Sequence, residues 1–227
     1  MATSSRYPPQ SETFTTIIHA HEPENSSWTH LASAAASGHV ELVKKYMKDN
    51  AQTPVTGQIH FGWHAFPNPT PLILAAGHGH LDCVRLLMKD GAGSTTSAKQ
   101  TALMAAAAGC YPDIISELME KEAGRADENG WTALMYAADR GCVPACQMLV
   151  KLEANRTSSR SETALILAAT TNKRKVVEIL APHEAPESGL LAMELTSDEE
   201  IRDMIRKHLP ADAAQALTDN GDQYLLE

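Results

Sequence analysis

The 227-residue chain is poor in aromatic side chains and lacks an excess of positive charge. Aromatic residues make up only 5% of the sequence, the formal net charge is -9 and the pI is about 5.5. With few rings and abundant alanine, the core must consist of small and aliphatic side chains, which favours closely packed helices. The acidic balance argues against a surface that neutralises phosphates, so we expect no nucleic-acid partner.

Cysteine and long apolar runs are also scarce. Four cysteines are too few for a disulfide scaffold in a chain of this length and suit a reducing compartment. The N-terminus lacks the apolar core of a secretory signal, and no run of about 18 strongly apolar residues could span a bilayer. We therefore expect a cytoplasmic protein without a membrane partner, and leave open both association with the cytoskeleton and a nuclear location.

A motif of threonine, an apolar run and paired alanines recurs along the chain. Copies spaced 31 residues apart begin at Thr70, Thr101, Thr132 and Thr163. A further copy at Thr29 lies 41 residues before Thr70, so about ten extra residues must intervene, and we assign this insertion to 50–69. We number the five units repeats 1 to 5 in chain order.

Each repeat predicts two helices. Threonine is a good helix N-cap, and Pro71 follows Thr70 at a position where a helix tolerates proline. In the second apolar run of repeat 2, Leu81, Val84 and Leu87 recur at helical spacing and mark one buried face. Such short helix pairs cannot bury their apolar faces alone, so the sequence predicts an all-α solenoid of stacked repeats.

These units resemble the ankyrin repeat. The likeness rests on TPL at 70, AA at 75, GH at 79, VRLL at 84 and DENGWTAL at 127. The period is shorter than the family's usual value of about 33 residues, and the 31-residue TALM type is similar to the ankyrin-only proteins of diplomonad protozoa. The histidine of the family's TPLH box is replaced here by Ile73, Met104, Met135 and Ile166. Because that histidine usually ties neighbouring repeats, we expect apolar packing to hold this stack.

The ends of the stack differ from its repeats. We predict an ankyrin-repeat domain at 29–209 whose last part, 190–209, is a capping helix that covers the exposed apolar end. Thr196 and Ser197 precede Glu199 as in a capping box, which predicts where that helix begins. The flanking segments 1–28 and 210–227 lack the repeat pattern and are expected to be mobile.

The resemblance also implies where a partner binds, namely on the hairpin tips and the exposed positions of each first helix, on the concave side. The residues at such positions are Trp28, Trp131, Tyr136, Asp139 and Arg140. Exposed Trp, Tyr and Arg dominate interface energies, so Trp131, Tyr136 and Arg140 are the predicted centre of the site. An indole that precedes the threonine could instead cover its own hairpin.

The insertion adds further aromatic candidates. Phe61, Trp63 and Phe66 fall within six residues, FGWHAF. A loop this aromatic is either packed on the stack or available to a partner. The sequence leaves these two alternatives open.

The histidines and cysteines, which could act in catalysis or bind a metal, do not form a recognisable motif of either kind. His60, His64, His78 and His80 could suggest zinc, but metal sites usually need four convergent ligands. Cys110, Cys142 and Cys146 are predicted to be small buried apolar residues. No phosphate-binding glycine loop, nucleophile elbow or HExxH motif occurs in the sequence. We therefore predict no enzymatic activity, no cofactor and no metal site.

Together these patterns predict a non-enzymatic, monomeric adaptor that binds another protein. The alternatives are a regulatory subunit or inhibitor of an enzyme such as a kinase, and a cytoskeleton-associated structural component. The partner cannot be named, because repeats of this kind share a scaffold and differ in their contact residues.

Overall fold

The computed structural model describes residues 28–47 and 53–210 of the chain. Within these residues a series of helices is interrupted by one β-hairpin, so the prediction of an all-α solenoid is confirmed apart from that small sheet. The elements are α1 (His30–Ala36), α2 (Val40–Tyr46), β1 (Gln58–Phe61), β2 (His64–Pro67), α3 (Pro71–Gly77), α4 (Leu81–Gly91), α5 (Ala102–Gly109), α6 (Pro112–Glu122), α7 (Ala133–Arg140), α8 (Val143–Glu153), α9 (Ala164–Thr170), α10 (Arg174–Leu180), α11 (Pro186–Leu195) and α12 (Glu199–Arg206). The predictions for 1–27, 48–52 and 211–227 fall outside the described residues.

The repeated threonines start the first helix of every repeat, as predicted. The Thr29 hydroxyl accepts a hydrogen bond from the Ala32 amide at 3.1 Å, and Thr101 accepts one from Met104 at 3.3 Å. Thr70 and Thr163 make the equivalent bond. Thr132 holds the same N-cap position, but its hydroxyl has no hydrogen-bond partner among the described residues. The helix starts are therefore encoded locally in each repeat.

The helices form two layers. The odd-numbered first helices pack side by side from α1 to α11, and the even-numbered second helices do the same from α2 to α12. The paired alanines lie at the contacts between the two layers and between neighbouring repeats, where Ala106, Ala107, Ala137 and Ala138 are fully buried. Such small side chains let the repeats approach closely and share one core.

The C-terminal segment predicted as a cap contains α12 and most of α11. Helix α11 packs on α9 and α12 packs on α10, so the stack ends in a sixth, diverged helix pair. Asp198 is the N-cap of α12, with its carboxylate accepting from the amides of Glu200 and Ile201, and not Thr196 or Ser197 as predicted. The same carboxylate pairs with Arg174 at 2.7 Å, which ties α12 to the preceding repeat.

A buried glutamate at the end of a second helix binds two backbone amides, one in its own repeat and one in the preceding repeat. Glu122 ends α6 and is 1% exposed; its carboxylate accepts from the Gly93 amide of repeat 2 at 2.9 Å and from the Leu103 amide at 2.8 Å. Leu103 lies in the first turn of α5, where backbone amides have no partner within the helix. One carboxylate thus satisfies two donors from two repeats.

The same contact recurs one repeat later. Glu153 ends α8 and accepts from the Gly124 and Leu134 amides, both at 2.7 Å. Glu184 follows another 31 residues on and accepts from the Asn155 amide at 3.2 Å. The expectation that apolar packing alone replaces the missing TPLH histidine was therefore wrong, because the carboxylates of Glu122 and Glu153 supply charge-assisted hydrogen bonds between repeats.

A disulfide provides a further link between repeats. Cys110, at the end of α5, is bonded to Cys142, at the start of α8, so the prediction that both are simple buried apolar residues was wrong. Cys146 and Cys83 are free thiols and fully buried, and the predicted apolar role of Cys146 is confirmed.

The glutamate contacts generate a prediction for stability. Glu122→Gln keeps one acceptor oxygen but turns an NH₂ donor towards a backbone donor, so one charge-assisted bond is lost and one amide is left unpaired. We expect a loss of about 2–3 kcal/mol in the free energy of unfolding, measured by urea denaturation followed by circular dichroism. Glu120→Gln, an exposed change on the same helix, is the matched control and should stay within about 0.5 kcal/mol of wild type. Equal losses for both variants would contradict this role for Glu122.

Glu184 generates a prediction about pH. Burial raises the pKa of its carboxyl from 4.5 to about 7, and the Asn155 amide only partly opposes this. Because the native state binds the proton more tightly than the unfolded chain, this group stabilises the fold most at pH below 4.5, and the contribution is lost as the pH rises to about 7. We expect Glu184→Gln to gain stability relative to wild type across that interval, by up to about 3 kcal/mol. Urea denaturation at several pH values measures the difference. Glu187→Gln, an exposed change nearby, should give a difference from wild type that does not vary with pH.

Candidate functional site

The insertion between repeats 1 and 2 forms a regular β-hairpin. Its strands pair antiparallel, with Phe61 opposite His64 and Ile59 opposite Phe66. Gly62 has a φ of 60°, as the first residue of a two-residue hairpin turn of this kind requires. Since side chains alternate along a strand, Ile59, Phe61, His64 and Phe66 share one face of the hairpin.

That face packs on the layer of first helices. Phe61 and Phe66 are 3% and 0% exposed, and their rings lie 5.0 Å apart. A Cβ added to Gly77 in α3 would lie 2.4 Å from the Phe61 ring, and one added to Gly62 would lie 3.0 Å from the Ala108 carbonyl of α5. Small residues on α3 and α5 therefore make room for the hairpin. The aromatic insertion is packed on the stack, which decides between the two alternatives that the sequence left open.

A buried polar network fastens the hairpin to the ends of repeats 2 and 3 and to repeat 4. The Gln100 amide donates to the Ala65 carbonyl and to the Tyr136 hydroxyl, both at 2.9 Å. The Tyr136 hydroxyl in turn donates to Asp127 at 2.8 Å. Burial, reinforced by the Asp127 charge, raises the pKa of Tyr136 well above its usual range, so the hydroxyl keeps its proton and remains a donor.

His64 makes the second attachment between the hairpin and repeat 4. Its Nε2 lies 3.0 Å from the Asp139 carboxylate, and Asp139 is 5% exposed. The imidazole also packs edge-on against two rings, with centroids 4.6 Å from Tyr136 and 5.1 Å from Trp131. Trp131 and Tyr136 are themselves 5.3 Å apart. These rings form one aromatic cluster between the hairpin and α7.

The structure corrects four of the predicted contact residues. Tyr136 is only 2% exposed, Asp139 is buried in the pair with His64, and Phe61 and Phe66 belong to the core. The expectation that Tyr136 and Asp139 are exposed was wrong, because the insertion folds back over the first helices and covers them. For Phe61 and Phe66 the sequence left two alternatives open, and the packed one holds. A sequence signal for this exists: Ile59 and Phe61 alternate with polar residues up to Gly62, and a glycine that follows such a strand is typical of a two-residue hairpin turn.

The remaining predicted residues keep part of their surface. Trp63 in the hairpin turn, Trp131 and Arg140 are all half-buried. The Arg140 side chain lies beside the turn, since a Cβ on Gly62 would be 3.7 Å from its Cδ. Together with the exposed outer residues Gln58 and His60, these side chains make up what we call the hairpin surface. Trp28 is half-buried against the core at the start of repeat 1, away from this surface.

The histidines outside the hairpin have structural contacts. His80 Nε2 lies 2.9 Å from the Ala36 carbonyl of repeat 1. Burial, with a smaller effect of His80, lowers the pKa of His78 to about 4, and the His78 ring packs edge-on against Phe61. Over residues 28–47 and 53–210, no group of three or more His, Cys, Asp and Glu side chains is arranged to hold a metal ion. None of the helices in these ranges has the length and apolarity needed to cross a membrane.

The packing of the hairpin predicts the effect of removing its central ring. Phe66→Ala should destabilise the hairpin by about 3–5 kcal/mol, because the ring is fully buried. Limited proteolysis with thermolysin, followed by mass spectrometry, should then show rapid cleavage within 57–68. His60→Ala, on the exposed face of the same hairpin, is the control and should be cut as slowly as wild type. Equal cleavage of Phe66→Ala and wild type would show that Phe66 does not hold the hairpin down.

Comparison with known proteins assigns the family. The family model for ankyrin repeats, which spans three copies, matches residues 4–97, 31–126, 72–159 and 103–189. No curated protein matches the chain, so the narrower similarity to diplomonad ankyrin-only proteins gains no support from relatives. The family matches extend over most of the sequence and agree with the stacked helix pairs described above. The chain therefore belongs to the ankyrin-repeat family.

Proposed function

We propose that the protein is a non-enzymatic adaptor that binds another protein through the hairpin surface. Ankyrin repeats generally mediate protein–protein interaction. The observation that carries the proposal is that two tryptophans and an arginine, Trp63, Trp131 and Arg140, stay partly exposed around one rigid hairpin turn. These are the residue types that supply most of the binding energy in protein interfaces.

The cost of displacing the hairpin favours a partner that binds its outer side over one that binds the first helices beneath it. A partner that displaced the hairpin would uncover Phe61 and Phe66, at about 1.5–3 kcal/mol for each ring. That cost of about 3–6 kcal/mol lowers the affinity by roughly 10²- to 10⁴-fold. A partner that binds the seated hairpin avoids this loss, and it meets side chains that packing has already ordered.

The chemistry of the surface indicates what a partner offers. Two indoles give broad, flat apolar area, and the Arg140 guanidinium gives fixed donors that match a carboxylate. A complementary protein therefore carries an acidic side chain beside an apolar patch. We propose that the chain acts as a monomer in the cytoplasm.

The test compares three variants of the full chain in affinity capture from native cells, read by quantitative mass spectrometry. Arg140→Glu and Trp63→Ala should each lower capture of the same partner at least about 10-fold. Lys151→Glu, exposed on α8 in the layer of second helices, is the charge-matched control and should leave capture unchanged. Tyr136 is unsuitable as a probe, because its removal breaks two buried hydrogen bonds.

Two outcomes would contradict the proposal. The first is a partner whose capture is equal for Arg140→Glu, Trp63→Ala and wild type. The second is a partner whose capture falls with Lys151→Glu instead, which would place the contact on the opposite layer. Melting curves of the purified variants accompany the experiment, so that a loss of fold is distinguished from a loss of contact.

A further inference from the structure

Between the first and second helices, each repeat has one turn residue in the left-handed conformation, and in repeats 1, 2 and 4 this residue is a glycine with a side chain of the next repeat against it. The pairs are Gly38 with His80, Gly79 with Tyr111, and Gly141 with Lys173. A Cβ added to these glycines would lie 2.6, 2.5 and 2.8 Å respectively from the facing side chain. At these three positions glycine suits both the left-handed backbone conformation and the close approach of the neighbouring repeat.

Cys110 occupies this glycine position in repeat 3. Its φ is 62°, a conformation that sterics disfavour for a residue with a side chain. The residue facing it from repeat 4 is Cys142, which holds the place taken elsewhere by His80, Tyr111 and Lys173. The Cα atoms of the two cysteines are 5.5 Å apart and their sulfurs are bonded. In repeats 1, 2 and 4 the facing side chain leaves no room for a Cβ at this position. In repeat 3 the two facing side chains are instead joined by a covalent bond.

We propose that Cys110 and Cys142 form a reversible thiol–disulfide switch that fastens repeat 3 to repeat 4 beside the hairpin turn. The bond lies in a surface turn, where Cys110 is partly exposed and Cys142 is 2% exposed. We place the first attack of a thiolate at Cys110, because it is the more exposed residue of the pair. This inference goes beyond the proposed adaptor function and does not depend on it.

The other two cysteines do not compete in this exchange. Cys83 and Cys146 are fully buried, and burial raises the pKa of the Cys146 thiol to about 12. The pKa of Cys83 is also raised, by burial and by Asp82. Since the thiolate is the reactive form, neither residue is a ready nucleophile. Thiol chemistry of the native protein is thereby confined to the one pair between the repeats.

The reaction is a two-step exchange with a small thiol such as glutathione. A first thiolate bonds to the Cys110 sulfur, and the electrons of the protein disulfide leave with the Cys142 sulfur, which takes up a proton. A second thiolate attacks the small-molecule sulfur of this mixed disulfide, and Cys110 leaves as a thiolate that is protonated. Two small thiols are oxidised to one disulfide and two protein thiols are formed. Oxidised glutathione drives the reverse reaction and re-forms the bond.

Reduction weakens one particular junction of the stack. It removes a crosslink that spans 32 residues of sequence and leaves Cys110 in a disfavoured conformation without the bond that holds it there. In repeat proteins stability depends on contacts between neighbours, so the effect is concentrated where α5 meets α7. The hairpin bridges the same junction, because Gly62 lies against the Ala108 carbonyl of α5 and His64 pairs with Asp139 of α7. We expect the melting temperature to fall by about 5–10 °C on reduction.

The experiment incubates the folded full chain with oxidised or reduced glutathione and then measures thiols and melting. Alkylation after denaturation should find two free thiols in the oxidised sample and four in the reduced one. The double variant Cys110→Gly with Cys142→His restores the pair seen at Gly38 and His80, so its melting temperature should not depend on glutathione. Cys142→Ser serves the same purpose should the double variant fold poorly. Cys83→Ala is the control and should keep the wild-type redox shift.

Three results would overturn the switch. One is four free thiols after oxidised glutathione, since the bond would then not form in the folded protein. Another is a bond that reduced glutathione opens only after denaturation, which would make it a permanent crosslink. The last is a melting temperature that is the same with and without the bond. The proposal is supported by two free thiols in the oxidised sample, four in the reduced sample, and a lower melting temperature on reduction.

Discussion

Contact between neighbouring repeats is the constraint on which the rest of this structure depends. No helix pair here is large enough to bury its own apolar face, so each one is stable only against the next. Paired alanines bring the first helices together, and the carboxylates of Glu122 and Glu153 bind backbone amides of two repeats at once. These glutamates replace the histidine that usually ties ankyrin repeats. They place charged groups in the core, where only complete hydrogen bonding makes burial favourable.

The same constraint explains the insertion. Alanine and glycine on α3 and α5 would leave a shallow slot on the first-helix layer, and the hairpin fills it with the rings of Phe61 and Phe66. Its polar contacts reach Gln100 at the end of repeat 2 and Asp139 in repeat 4, and Gln100 in turn donates to Tyr136. The hairpin thus covers first-helix positions of the middle repeats. The surface that stays exposed there is the outer side of the hairpin and the residues around its turn.

Much of the architecture could be predicted because it is local and periodic. The threonine N-caps, the apolar spacing of the second helices and the paired alanines each act within one repeat, and their period predicts stacking. Two inter-repeat features had readable signals that the sequence interpretation missed. Glu122, Glu153 and Glu184 recur every 31 residues, and Cys110 stands in a series otherwise held by Gly38, Gly79, Gly141 and Asn172. Both signals become evident only when the sequences of the repeats are aligned with one another, because they concern contacts between repeats.

By itself the sequence determined the helix pairs, their order and their family, because these follow from residue types at short, repeating distances. Only the tertiary structure decided which side chains remain on the surface. His64 and Asp139 are 75 residues apart in sequence and 3.0 Å apart in space. No local sequence pattern around Tyr136 or Asp139 predicts that a hairpin distant in sequence covers them. Exposure is a property of the whole packed chain, so our proposed contact surface lies on the hairpin and not at the first-helix positions beneath it, where the sequence predicted it.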